Sequence, residues 1–315
     1  MDGEKDPRNL LICFQIVNKM LESLEIGTNA EGIFEVIFCY FPITFRAPPD
    51  DPYGITSEDL KGALKACLCS SNHFAEFSVP LILEKLSSAS VAAKKDSLDL
   101  LTSALPVYGA DTVAVHVDAM WDLFKLEVLD KRDDAVEALA LAGIFSLTET
   151  VSKSTSPTLL TTYLNSVVKD SMEELLDLDK KNARQVGKLL RSVTSASDPA
   201  SHHIVEATVN TLMERFPNEN TATQKRVILD VLDSIVVGCN EFYNRKKESV
   251  FKSPILAHKD RLAEMFRSAG FANKEYSLFR VSGVIGMKHL CEGKRVMSDI
   301  EVRTTVLLSP KDKSY

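Results

Sequence analysis

Cysteines, histidines and clustered charges are the residues of this chain that could do chemistry, and their spacing decides what they can do. Cys67 and Cys69 form the one close thiol pair. A structural metal site usually draws on four ligands, often as two such pairs. Helical residues two apart point to nearly opposite faces, so this pair is not expected to share an ion or a cluster. His202 and His203 are adjacent, and adjacent helical side chains diverge by ~100°, so a shared metal is not expected there either. No phosphate loop, nucleophile elbow or His-Glu-x-x-His pattern occurs in the sequence. Ser103 and Ser146 have no partner base that spacing identifies. The expectation is a non-enzyme with no catalytic residue, no metal ligand and no cofactor.

Charges that could hold a partner are more informative. Arg184, Lys188 and Arg191 fall at steps of four and three, while Val186, Leu189, Leu190 and Val193 take the other side. Lys180 and Lys181 extend the stripe, which suits acidic patches on another protein. An acidic run, Asp170, Glu173, Glu174, Asp177 and Asp179, precedes it and could pair with it internally. A second candidate is the stretch 42–55, PITFRAPPDDPYGI, which holds Pro42, Pro48, Pro49 and Pro52. Proline lacks the amide donor and clashes with the preceding turn, so this stretch is read as an irregular loop inside a repeat. Stiffened in this way, it can present Arg46, Asp50, Asp51 and Tyr53 at low entropic cost. Ile43, Phe45 and Tyr53 are expected to fold back over neighbouring helices.

The elements that must carry these residues are helices. Glycine is scarce, 13 in 315 residues, and strand-and-turn folds need more punctuation than that. Leu10, Phe14, Val17, Leu21 and Leu24 form one helical face in residues 6–25. Asp6-Pro7 and Asp198-Pro199 read as caps followed by proline in the first turn. Thr56 with Glu58 and Asp59 reads as another helix start. The pattern pairs helices at about 30–41 with 56–70, 74–87 with 90–107, 112–127 with 133–152, 157–177 with 180–195, 199–215 with 221–242, and 255–268 with 273–290. Their spacing lies close to the ~40–47 residues of HEAT or armadillo units. The expected fold is therefore all-α: a HEAT-type α-solenoid of stacked antiparallel helix pairs, one continuous array over residues 1–315.

A net charge of −7 argues against general nucleic-acid affinity. The six cysteines mostly sit in apolar helical stretches, as reduced thiols do in the cytoplasm and nucleus. No apolar run approaches the ~20 residues needed to span a bilayer, so no membrane partner is expected. Residues 1–9 are polar and charged, unlike a signal peptide. Helix 6–25 lacks a first partner, and Asp299–Leu308 reads as a first helix without a second. Leu10, Phe14, Ile300 and Val306 are then expected to face water or a further repeat, as in a segment of a longer protein.

Three stretches carry more than periodicity: MDGEKDPRNLL, CYFPITFRAPPDDPYGIT, and FAEFSVPLILEKL with the following AKKDSLDLL. In these the chain resembles the methyl-methanesulfonate-sensitivity HEAT-repeat family, strongly from Met1 to about Tyr108 and more loosely to Tyr315. The resemblance implies the large adaptor of the cytosolic iron–sulfur protein assembly targeting complex. It implies apo iron–sulfur clients among DNA helicases, polymerases and primase, with links to nucleotide excision repair and to the transcription factor that contains such a helicase. It also implies two protein partners, a β-propeller subunit and a small acidic subunit, docked by far C-terminal repeats. The present segment would then belong to the client-facing or structural part. An armadillo or HEAT-type transport receptor, or a general interaction scaffold, is the alternative that helix pairing alone leaves open.

Overall fold

Amphipathic helices that cannot cover their own apolar faces account for most of the described residues. The computed structural model describes residues 3–46, 53–88, 90–130, 132–245, 252–293 and 296. In chain order the helices are α1 (Pro7–Ser23), α2 (Ala30–Phe38), α3 (Ser57–Leu68), α4 (Ala75–Leu86), α5 (Val91–Tyr108), α6 (Ala110–Val113) and α7 (Val117–Asp130). They continue as α8 (Asp134–Val151), α9 (Pro157–Glu174), α10 (Ala183–Thr194), α11 (Asp198–Arg215), α12 (Ala222–Arg245), α13 (Lys259–Gly270) and α14 (Ser277–Glu292). No strand occurs among the described residues. The fold is all-α, with helix pairs stacked in the manner of a solenoid repeat.

Chain contacts gather into two compact units, Met1–Glu127 with Lys131–Leu159, and Val128–Asp130 with Leu160–Tyr315. In the first, α1 lies on α3, α2 on α3 and α4, α4 on α5, and α5 on α8. Phe34, Ile37, Leu64, Leu68, Phe74, Ile82, Leu101 and Leu105 are sealed between them. Two side-chain bonds cross the stack: Tyr108 Oη donates to Leu68 O at 2.9 Å and Ser146 Oγ to Thr102 O at 2.8 Å. Leu10 and Phe14 do not face outward as expected. They are 8% and 1% exposed, because that face of α1 is the one laid on α3. The outward apolar residues of α1 are Ile12, Ile16 and Met20, with the exposed Leu24 at its C-cap. Ile300 and Val306 lie outside the described residues.

In the second unit α10 packs on α11 and α12, α12 on α14, and α13 on α14. The α10–α12 approach is close enough to require glycine. A Cβ on Gly238 would sit 2.0 Å from Thr194 Oγ1 and 2.8 Å from Arg191 O. Thr194 cannot give way freely, since its hydroxyl donates to Leu190 O at 2.9 Å. Arg215 at the end of α11 donates to the carbonyls of Leu175 and Leu176, closing the end of α9.

Local signals behave as their chemistry dictates, with two corrections. Asp6 caps α1, accepting from Arg8 N at 2.9 Å. At α11 the cap is Ser197, which accepts from Ala200 N at 3.3 Å, so Asp198 is already helical. Asp198 is thereby turned inward, where its carboxylate accepts from Tyr243 Oη at 2.6 Å. Lys180 and Lys181 do not extend a helix: Leu178 is buried, and the chain runs through turns until α10 begins at Ala183. Between α8 and α9 the loop is clamped by Asp111, which accepts from Ser154 Oγ at 2.7 Å, Thr155 Oγ1 at 2.9 Å and Thr155 N at 3.2 Å.

Gly238→Ala should destabilise the second unit by about 1–3 kcal/mol, the usual cost of overpacking a tight site. Urea unfolding followed by helical circular dichroism checks this, and an unchanged midpoint would refute the close-approach argument. The bonds from Ser154 and Thr155 hold the Asp111 carboxyl below its ordinary value. For a depressed acid the clamp is intact at neutral pH and lost as acid titrates through the folded value. Hydrogen-exchange protection at Thr155 should therefore fall with pH in the acid range and stay flat between pH 6 and 8, roughly two units or more above an ordinary carboxylate.

Candidate protein-interaction faces

The irregular stretch after α2 is anchored by rings before it opens to solvent. Pro42 rules out further helix, and the segment leaves α2 along an aromatic ladder. Phe34 stacks on Phe38 at 4.9 Å, Phe38 on Phe41 at 5.4 Å, and Tyr40 meets Phe14 edge-on at 5.8 Å. Ile43 and Phe45 are then half-buried, as expected, while Arg46 is exposed. Tyr53 is only partly folded back: it stays 60% exposed, with the Arg8 guanidinium 4.4 Å above its ring. Its neighbour is a cation and not an apolar groove, which leaves the ring edge in water. Arg8 in turn holds the Asp6 carboxylate, pulling its pKa down to about 2. Asp50 and Asp51 lie outside the described residues. The stretch ends in a reciprocal cap on α3, with Thr56 N donating to Asp59 Oδ2 at 2.8 Å and Asp59 N to Thr56 Oγ1 at 3.2 Å.

Beneath Phe41 and Ile43 is a cavity of about 290 Å³ whose floor is charged: Lys61 and Lys65 from α3, Asp96 and Asp99 from α5. These charges are paired, Lys61 Nζ with Asp96 Oδ1 at 2.8 Å and Lys65 Nζ with Asp99 Oδ2 at 2.7 Å. The pattern steps onward, with Lys94 bonded to the buried Glu127 and Lys95 Nζ to Asp133 Oδ2 at 3.0 Å. Asp96 holds the Lys61 ammonium above its ordinary pKa, and Lys95 draws the Asp133 carboxyl below its own. Sequence reasoning missed this ladder. Its signal is a sequence separation of 33 to 35 residues between the first three partners, which join α3 to α5 and α5 to α7. Part-exposed pairs contribute ~0–1 kcal/mol each, so they set the register of neighbouring helices more than they stabilise them.

In the second unit the basic stripe is where the sequence placed it. Arg184, Lys188 and Arg191 are exposed on α10, and Val186, Leu189, Leu190 and Val193 are buried behind them. They are not equivalent. Arg191 reaches Glu241 of α12, its Nε 3.2 Å from the carboxylate, so it serves the α10–α12 junction. One step along, His289 Nδ1 of α14 lies 2.8 Å from Asp233 of α12, and Asn240 Nδ2 donates to His289 O at 2.7 Å. Burial pushes the Asp233 carboxyl above its ordinary value, partly offset by His289. Arg184 and Lys188 lie earlier on the same exposed face. The loop residues Arg46 and Tyr53 belong to the other unit.

The thiol pair diverges as helical spacing requires. Cys67 Sγ faces Phe14 O at 3.0 Å, on the α1 side, while Cys69 turns to Leu100 O on α5. Burial pushes their pKa values up to about 11 and about 12. His202 reaches toward Asp198, 3.9 Å away. An apolar cleft of about 580 Å³ between α13 and α14, beside Phe271, Val284 and Met287, was not legible in the sequence. There Gly283 and Gly286 face α13, and Phe271 and Val284 remain exposed.

Comparison with known proteins adds the lineage of this scaffold. Residues 1–130 match the family model of the MMS19 N-terminal region, described as a Dos2-interacting transcription regulator of RNA-Pol-II. The MMS19 nucleotide excision repair protein homolog of Mus musculus is 38% identical over 237 residues, 74% of this chain and 23% of that protein. The Homo sapiens homolog is 35% identical over 270 residues, 84% of this chain and 26% of that protein. The DNA repair/transcription protein mms19 of Schizosaccharomyces pombe is 27% identical over 266 residues, 82% of this chain and 26% of that protein. The chain spans about a quarter of the length of the curated relatives it matches. The stretches that anchor the aromatic ladder, the capped α3 and the lysines of α5 all lie within the matched region, and the chain belongs to the MMS19 family.

Proposed function

We propose that this chain is a non-catalytic, protein-binding part of an adaptor that bridges the cytosolic iron–sulfur assembly machinery and apo iron–sulfur proteins of DNA repair, replication and transcription. Its clients on this reading are DNA helicases, polymerases and primase, including the helicase of the transcription factor that acts in nucleotide excision repair. A β-propeller subunit and a small acidic subunit complete the delivery complex. The adaptor works in cytoplasm and nucleus, without touching nucleic acid or membrane itself. The names of its relatives, which speak of excision repair and transcription, support this reading.

The observation that carries it is the disposition of charge on α10. Arg184 and Lys188 project from a helix whose opposite face is locked into the stack. Preorganised cations of this kind steer and orient an acidic surface at little entropic cost. Lys61, Lys65, Lys94 and Arg191 are paired with acids of other helices.

Affinity capture with purified residues 1–315, read out by mass spectrometry, tests the reading. Iron–sulfur helicases or polymerases should be recovered, and Arg184→Glu with Lys188→Glu should reduce that recovery at least tenfold, about 1.4 kcal/mol, with helix content and melting unchanged. Arg191 is left intact because reversing it would set two acids together at Glu241. Equal recovery by the doubly reversed chain would remove α10 from the interface, and recovery of no iron–sulfur client would remove client binding from this part of the adaptor.

A further inference from the structure

The Ser-Pro dipeptide recurs along this chain, and the fold treats its copies differently. Ser156-Pro157 lies in the loop between α8 and α9, Ser253-Pro254 lies before α13, and Ser309-Pro310 falls outside the described residues. Ser253 is 3% exposed and its hydroxyl is sealed from solvent. Ser156 and Pro157 are both exposed, on a loop whose neighbours Lys153, Thr155 and Thr158 are exposed as well. The Ser156 hydroxyl has a single modest contact, 3.2 Å to Thr158 Oγ1, which reorients at little cost. A residue before proline is held away from the helical region and toward the extended form. That is the form in which a kinase cleft takes a substrate segment.

We propose that Ser156 is a phosphoacceptor for a proline-directed serine/threonine kinase, and that its phosphate releases the Asp111 clamp on this loop. In the transfer, Ser156 Oγ bonds to the γ-phosphorus of ATP as the bond to the β-phosphate oxygen breaks. ADP departs with the electron pair, and the hydroxyl proton passes to the kinase's catalytic carboxylate. The product carries about −1.5 to −2 charges at neutral pH. That charge is added to a residue joined to a carboxylate through one intervening hydroxyl. Ser154 Oγ, which donates to Asp111 Oδ1 at 2.7 Å, also accepts from Ser156 N at 3.0 Å, and Thr155 donates twice to the same carboxylate. A phosphate here repels Asp111 and competes with it for the Ser154 and Thr155 donors. The clamp ties the start of α6 to the segment leading into α9, so the modification loosens the point at which the chain leaves its first unit.

The test is phosphorylation of the folded chain, residues 1–315, by a recombinant proline-directed kinase with ATP, mapped by mass spectrometry. Phosphate should appear on Ser156 and not on Ser253. Ser156→Ala should abolish it, and Ser253→Ala should leave it unchanged. Asp111→Ala, which frees the loop, should raise the initial rate severalfold, and hydrogen exchange at Thr155 should rise once Ser156 is modified. A peptide covering residues 150–162 separates what the kinase reads in sequence from what the fold displays. Absence of phosphate on Ser156 in the folded chain overturns the site, whether or not the peptide is modified. Modification with no change in exchange at Thr155 overturns the release of the clamp.

Discussion

The long helices of this protein bury apolar faces against more than one neighbour, as α5 does on α4 and α8 and α12 on α10 and α14, and much else follows from how those faces are sealed. Extensive packing runs between helices of successive pairs, α5 on α8, α10 on α12 and α12 on α14, as well as within the α13–α14 hairpin. The partners must come close, and the side chains at the contact are correspondingly small. Gly238 meets Thr194 and the α10 backbone, and Gly187 faces Ser234. A covered apolar side chain is worth about 1.5–3 kcal/mol, so a repeat without neighbours would forfeit several such contributions at once. Stacking is thus a condition of folding here, and binding surfaces are what remains after stacking has been satisfied.

That order of priority explains where the charges went. Lys61, Lys65, Lys94 and Arg191 look like partner-facing residues on a helical wheel, yet each is engaged by an acid of a later helix. Such pairs add little stability when part-exposed, but the like-charge contacts of a slipped register would be unfavourable. The ladder therefore works as an alignment mark between surfaces that are otherwise generic apolar stripes. Arg184 and Lys188, earlier on the same stripe of α10, are exposed.

Much of this architecture is written locally and could be read locally. Spacing of Val186, Leu189, Leu190 and Val193 specifies the buried face of α10, and Thr56 with Asp59 specifies the start of α3. The readings that failed depend on distant residues. Leu10 and Phe14 are covered because α3, some fifty positions on, lies over them: Cys67 Sγ meets Phe14 O across 53 positions of sequence. Asp198 cedes the cap to Ser197 because Tyr243 takes its carboxylate. Of the candidate site, the stripe on α10 was legible as a pattern. That Arg191 belongs to Glu241 was not, since the choice between solvent and a partner 50 positions away is made by tertiary register.

The placement of the thiols makes the molecule its own gauge. Cys67 is sealed in the first unit and Cys239 in the second, whereas Cys39 lies at the surface. Burial holds both interior sulfurs in the unreactive protonated form. An alkylating reagent thus meets Cys39 in the native chain but meets Cys67 or Cys239 only when the helices around them part. The labelling rates of those two sulfurs are separate clocks for the opening of each unit, carried on the unaltered polypeptide and readable without any foreign probe.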